Sequence, residues 1–286
     1  MKAVYTAMVF CFLSFFGCSF FGGVGNTAFH ALVIGINQYN DPAINDLDYC
    51  VNDANGIHDS LIQNGWKEEE ITLLLDGEAT KTAILSAINS IVGDANPNDY
   101  ILIFYSGHGT AIADSDGDES DGIDEAIVPV DYIYGNASTL ILDDDIGKSF
   151  STCRTEKGVF IFDSCNSGGF INMALGTGGE AQARYVHVMD IKGSGTNGDL
   201  DILNLPVMTS SDETEYSFEL PALQHGVFSY FILAGLKNRN ADTNDDAFIT
   251  IRELFDYAKS QTEFFTSYQH PKLRFPRELI DILITR

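Results

Sequence analysis

Five short apolar runs punctuate the chain, at residues 31–36, 71–75, 100–105, 158–162 and 205–209. Each is short and rich in β-branched or aromatic residues, so each predicts a strand. The 158–162 run, Gly-Val-Phe-Ile-Phe, has no polar residue and suits a strand buried on both faces. Between the first three runs, apolar residues recur at helical spacing: Val51, Ala54, Ile57 and Leu61, then Ile84, Ile88, Ile91 and Val92. Gly65 and Gly93 mark the ends of these two helices, and Thr80 can cap the start of the second. This βαβαβ order implies a parallel sheet with helices on its faces and right-handed crossovers. The runs at 158–162 and 205–209 extend the sheet, and residues 227–236 predict a further buried helix.

Less regular stretches lie between. The segment DSDGDESDGIDE, residues 114–125, is strongly acidic, and its part from Asp114 to Asp118 reads as an exposed, cation-attracting loop. Short extended pieces follow at 126–131 and 139–142, and Asp143-Asp144-Asp145 opens a helix whose dipole favours carboxylates. Residues 172–204 are Gly-rich and weakly patterned, which predicts a long surface loop; Arg184 and Lys192 in it are candidate self-cleavage points. No repeat or second-domain boundary is visible in the 286 residues.

Charge narrows the partners. With 41 acidic and 16 basic residues the formal charge is −25, which argues against nucleic acid and anionic membranes. It favours divalent metal or substrates carrying Lys or Arg, although an acidic surface also serves solubility. Residues 1–25 read as an export signal: Lys2, an apolar stretch at 7–21, then a glycine break. The stretch is shorter than the ~20 residues of a membrane span. Phe15-Phe16-Gly17-Cys18 resembles a bacterial lipobox with aromatic residues in unusual places, so membrane attachment depends on lipidation at Cys18. Residues 26–286 are the expected mature domain, secreted, periplasmic or lipid-anchored at the cell surface. Outside the signal only Cys50, Cys153 and Cys165 remain. That is neither a disulfide framework nor a CxxC zinc site.

Two strand ends carry the candidate chemistry. The third run ends in Ser106-Gly107-His108-Gly109, and the fourth in Asp163-Ser164-Cys165-Asn166-Ser167-Gly168. Parallel strands bring both ends to the same sheet edge, where ligands bind in open α/β sheets. A Cys–His pair generates a thiolate near neutral pH. Cys165 is therefore the candidate nucleophile and His108 the base that then protonates the leaving amine. The N–H groups of Gly109 and Cys165 are candidate oxyanion donors. Singly, each residue has an ordinary structural explanation, the cysteine as a small core hydrophobe and the histidine as a satisfied polar group. Together, flanked by glycines at two strand ends, they point to catalysis.

SGHG followed by DSCNSG resembles the metacaspases and related bacterial caspase-like cysteine peptidases (peptidase family C14). The resemblance spans roughly residues 28–286 and departs at Asn166, where the family often has His. It implies a caspase-like three-layer αβα sandwich with a mostly parallel central sheet, and cleavage of protein or peptide substrates after Arg or Lys. It also implies a substrate pocket built from Cys50, Asp53, Ser106 and Asp163. Two carboxylates in a cleft select a guanidinium or ammonium group. By the same resemblance, Asp124, Asp143, Asp144 and Asn172 match a regulatory calcium site. A second candidate is the stretch 242–253, read directly as an EF-hand-like loop. Asp242, Asn244, Asp246 and Glu253 stand at positions one, three, five and twelve, and Phe248 at position seven. Its sixth position is Ala247 where the sharp turn prefers Gly. No organic cofactor is implied, and family analogy favours a monomer.

Three functions follow: an exported, calcium-stimulated cysteine endopeptidase cleaving after basic residues, a gingipain- or legumain-like relative, or a non-catalytic calcium-binding module on a caspase fold. The intact His, Cys and glycine set favours the first.

Overall fold

A computed structural model describes residues 27–113, 123–164, 182–184, 205–212, 215–274 and 284–285. The chain begins with β1 (Phe29–Gly35), α1 (Cys50–Gln63), β2 (Ile71–Leu75), α2 (Lys81–Asp94) and β3 (Tyr100–Ser106). Next come β4 (Gly109–Ala113), β5 (Ile123–Ile127), β6 (Ile141–Leu142), α3 (Asp143–Phe150), β7 (Gly158–Asp163) and β8 (Gln182–Ala183). It closes with β9 (Val207–Thr209), β10 (Phe218–Leu220), β11 (His225–Gly226), α4 (Val227–Lys237), α5 (Ile251–Phe265) and β12 (Lys272–Arg274).

The central sheet has the order β12-β9-β7-β3-β1-β2 and is parallel except for β12. Side-chain alternation splits its residues between two cores. Leu32, Ile34, Ile103, Tyr105, Phe160 and Phe162 pack with Ile84, Ile88 and Ile146 of α2 and α3. Ala31, Val33, Leu102, Phe104, Val159 and Ile161 pack with Ala54, Ile57, Phe228, Ile232 and Leu254 of α1, α4 and α5. A strand apolar on both faces needs helices on both, so the three-layer αβα sandwich follows from the uninterrupted apolar runs.

Most elements lie where the periodicity predicts. Thr80 accepts a hydrogen bond from Ala83 N, and Gly65, at φ 94°, follows the first helix. The predicted strand at 205–209 is shorter, and an unpredicted antiparallel strand, β12, covers it at the edge. Thr139 belongs to a single 3-10 turn at Ala137–Thr139 rather than an extended piece. The largest departure is in the Gly-rich stretch. Residues 182–183 form β8, paired antiparallel with β10, and Arg184 is fully buried instead of lying in a surface loop.

Two small sheets flank the site: β4-β5-β6, directly after His108, and β11-β10-β8. Among the described residues, no helix is long and apolar enough to cross a membrane. Residues 1–26, including Cys18, lie outside the description.

Candidate active site

Strands β3 and β7 are neighbours, and their register pairs Ser106 with Asp163. The chain therefore leaves the two strands at one level, two residues before His108 and two before Cys165. Gly158 at the other end permits this close pairing, because a Cβ there would collide with the Ile101 carbonyl. Cys165 and Asn172 lie outside the described residues.

His108 is 1% exposed. Its Nε2 is 2.7 Å from the Asn45 carbonyl oxygen, which can only accept, so Nε2 carries the proton. Nδ1 is then the basic nitrogen, and it has no hydrogen-bond partner among the described residues. Two tyrosines fix the loop: His108 N donates to Tyr39 Oη at 2.8 Å, and Tyr105 Oη donates to the His108 carbonyl at 2.7 Å. The Tyr39 ring lies 4.9 Å from the imidazole, centroid to centroid. Any side chain on Gly107 would strike the Tyr105 hydroxyl at 2.5 Å. Asn45, Tyr39 and Tyr105 were not legible as site residues, because each acts from a distant loop or through a hydroxyl on an apolar face.

Burial lowers the His108 pKa to about 4, and the Asn45 and Arg184 backbone groups offset only part of this. In the unfolded chain an imidazole titrates near 6.5, so between these values the unfolded state binds more protons. The stabilisation is complete above pH 6.5 and is lost as pH falls toward 4, by about 3 kcal/mol in all. Urea unfolding across this range should therefore be steeper in pH for wild type than for His108→Gln. Parallel curves would refute the depressed value.

Beside His108 lies a buried polar chamber. Asp53, in the first turn of α1, Ser106, at the end of β3, and Asp163, at the end of β7, are each 0% exposed and meet here. Ser106 Oγ donates to Asp53 Oδ2 at 2.8 Å. Cys50 lines the chamber with Sγ 3.9 Å from Glu219 Oε2, and burial pushes its thiol pKa well up, so it stays protonated. Three further contributors were missed: Glu219 on β10, and His225 and Gly226 on β11. His225 Nδ1 is 2.8 Å from Asp53 Oδ1. A Cβ on Gly226 would collide with Asp163 Oδ2, so only glycine leaves the chamber open. Glu219 offered one signal, a carboxylate set between the core residues Phe218 and Leu220.

Burying three carboxylates is unfavourable unless each is satisfied. Two helix N-termini do much of this, where free N–H groups and the dipole favour anions. At the start of α4, Gly226 N donates to Asp53 Oδ1 at 3.2 Å and Ser229 N to Asp163 Oδ2 at 3.1 Å. Ahead of α1, Asp48 N and Tyr49 N donate to Glu219 at 2.7 and 3.1 Å. Burial nevertheless raises the Glu219 pKa, against the pull of Arg184 and these two amides.

The chamber is filled by Arg184. Its Nη2 lies 2.7 Å from Asp53 Oδ2 and 3.3 Å from Glu219 Oε2. Its Nη1 donates to Ser106 Oγ at 2.8 Å and lies 3.2 Å from Asp163 Oδ2. The Arg184 carbonyl accepts from Gly109 N at 3.1 Å, the amide singled out as an oxyanion donor.

The predicted metal ligands are more dispersed. Asp124 and Asp143 are buried at the β5–α3 junction, while Asp144 pairs with Lys148. In the 242–253 loop, Asp242 Oδ1 and Asn244 Oδ1 accept from Asp246 N, and Asp246 Oδ1 from Phe248 N. Glu253 closes a capping box with Thr250 at the start of α5. Ala247 takes the left-handed φ of 71° that position six demands. Among the described residues, no three His, Cys, Asp or Glu side chains are gathered as a metal cage.

The model of the metacaspase, peptidase C14 domain matches residues 30–174, which hold Asp53, Ser106, His108, Asp163 and Cys165. The chain belongs to the metacaspase family. It is 38% identical over 155 residues to Metacaspase-1 of Schizosaccharomyces pombe, covering 50% of this chain and 35% of that protein. It is 39% identical over 153 residues to Metacaspase-1A of Neurospora crassa, covering 50% and 32%. The matched part thus spans about a third of these longer metacaspases. In fold, the chain is similar to a crystal structure of a Geobacter sulfurreducens protein, with TM-score 0.64 at 20% identity, over 86% of this chain and 92% of the other. Glu219, His225, Gly226 and Arg184 lie beyond the segment that the metacaspase model matches.

Proposed function

We propose that the chain is a cysteine endopeptidase that hydrolyses protein or peptide substrates after Arg or Lys. The observation that carries this reading is the guanidinium held among Asp53, Asp163 and Glu219 with its carbonyl on Gly109 N. A chamber that holds one arginine this way offers a substrate arginine the same charge-assisted, forked hydrogen bonds.

In the proposed reaction Cys165 loses its proton to Nδ1 of His108 and adds to the substrate carbonyl carbon. Gly109 N–H stabilises the oxyanion. The amine leaves with the proton from His108, and water hydrolyses the thioester. The Nε2 bond to Asn45 keeps Nδ1 free for these transfers.

The proposal extends to an exported monomer stimulated by calcium. Asp242, Asn244, Asp246, the Phe248 carbonyl and Glu253 are an all-oxygen donor set suited to that ion, and the turn at Ala247 supports the fit. Asp124, Asp143, Asp144 and Asn172 are the second candidate set. Bound calcium would supply charge neutralisation and loop ordering, not reaction chemistry.

A fluorogenic peptide panel varied at the residue before the cut tests the reading, with calcium and with a chelator. Cleavage after Arg and Lys, lost in Cys165→Ala, is expected. Cleavage after Asn or Asp would favour a legumain-like relative, and no cleavage at all would favour a binding module.

A further inference from the structure

We propose that His225 ties the carboxylate chamber to the pH of the solution: its imidazole holds Asp53 in place for a basic side chain, and with a second proton it weakens the binding of that side chain. This rests on the reading of the site as one that takes Arg or Lys.

The two oxygens of Asp53 serve different partners. Oδ2 meets the Arg184 guanidinium at 2.7 Å and accepts from Ser106 Oγ at 2.8 Å. Oδ1 lies 2.8 Å from His225 Nδ1 and 3.2 Å from Gly226 N. A carboxylate only accepts, so Nδ1 carries a proton in either charge state of the ring. His225 thereby fixes the plane of the carboxylate that receives the guanidinium. The β10–β11 hairpin does not need this bond to reach α1. Gly226 N already donates to Asp53, and Asn52 Nδ2 donates to the Gln224 carbonyl at 3.0 Å.

His225 also differs from its neighbours in access to water. Asp53, Asp163, Glu219 and Arg184 are buried, whereas the His225 side chain is 22% exposed. The charged and titratable groups around it are Asp53 on α1, Glu219 on β10, Asp163 on β7, the Cys50 thiol, Arg184, and Tyr230 on α4, whose ring lies 6.2 Å away.

Charge decides the direction of the effect. A neutral ring donates to Asp53 and leaves its negative charge to the guanidinium. An imidazolium puts a second cation on the same carboxylate, 2.8 Å from one oxygen while a guanidinium sits 2.7 Å from the other. The two cations disfavour each other. Coupling between two binding events is reciprocal, so the second proton lowers the affinity for a basic side chain by the same factor that the side chain lowers the affinity for the proton. An imidazole changes charge between about pH 5 and 8, so affinity should rise with pH across that range. Protonation of Glu219, whose pKa burial raises, acts in the same direction, so the imidazole must be removed alone. Asparagine at position 225 does this, because its side-chain amide stands where Nδ1 stands, donates to Asp53 and takes no charge.

The test is the dissociation constant of a fluorescein-labelled peptide amide ending in Arg, read by anisotropy from about pH 5 to 8. The protein is the full chain carrying Arg184→Gln and Cys165→Ala, so that neither its own arginine nor the thiol enters. Binding should tighten roughly tenfold as pH rises. With His225→Asn added, most of that dependence should vanish. With His225→Ala, binding should be about tenfold weaker even at the alkaline end, because Oδ1 loses a donor. If the Arg184→Gln chain folds only with a cation in the chamber, the free arginine needed for half-maximal folding reads the same affinity at each pH. Arg-dependent binding that is flat with pH, or that keeps its full pH dependence in His225→Asn, overturns the proposal and leaves the basic-residue reading standing. Binding that does not distinguish Arg from a peptide ending in Gln at any pH overturns that reading, and the role of His225 falls with it.

Discussion

Asp163→Asn, made in the Arg184→Gln background so that the pocket is not filled by the chain itself, should lower kcat/KM for an Arg-ended peptide by about a hundred- to a thousandfold. The carboxylate is 0% exposed and faces the Arg184 guanidinium at 3.2 Å. Losing one partner of a buried, hydrogen-bonded charge pair costs about 2–5 kcal/mol, and each 1.4 kcal/mol is about a factor of ten. Asparagine keeps the shape, and its amide can still meet Ser217 and Ser229, which hold Asp163 now. The loss should therefore fall on basic substrates and spare the rate at which a small electrophile modifies Cys165. An equal loss on both would mean that the substitution damages the catalytic loop rather than the pocket.

His108→Ala should lower kcat by about three orders of magnitude with KM nearly unchanged, because proton transfer acts in the transition state and not in binding. The pocket contacts lie on Asp53, Ser106, Asp163 and Glu219, and none is made by the imidazole. Pre-steady-state kinetics would separate the effects. A large rise in KM instead would show that His108 holds the cleft in shape.

The two substitutions divide the site along the line where sequence reading succeeded and stopped. The strand ends were legible because unbroken apolar runs fix β3 and β7 as neighbours, and the polar residues after them must share one edge. Asp53 was legible through the Cys50–Asp53 spacing at the start of α1, seen through the family resemblance. Glu219, His225 and Gly226 were not, because their strands are two or three residues long and carry no period. Their roles arise from contacts across very different parts of the chain, such as Glu219 with Asp48 and Tyr49. Arg184 was read as part of a Gly-rich surface loop, since glycine-rich composition hides a single anchored side chain. Position 247 shows the opposite case. The loop spacing called for a positive φ on an alanine, and the backbone adopts it. Whether calcium binds there depends on carboxylates that now serve the loop's own amides.

The most direct test of a thiol nucleophile beside a basic pocket is irreversible labelling with an Arg-bearing chloromethyl ketone, located by peptide mass. The label should appear on Cys165 and not on Cys50, whose thiol burial keeps protonated. It should appear faster in Arg184→Gln than in wild type, whose pocket Arg184 fills, and an Asp-bearing analogue should label neither. Labelling that ignores the Arg or Asp side chain, or that leaves Cys165 unmodified with calcium both present and absent, would contradict the account.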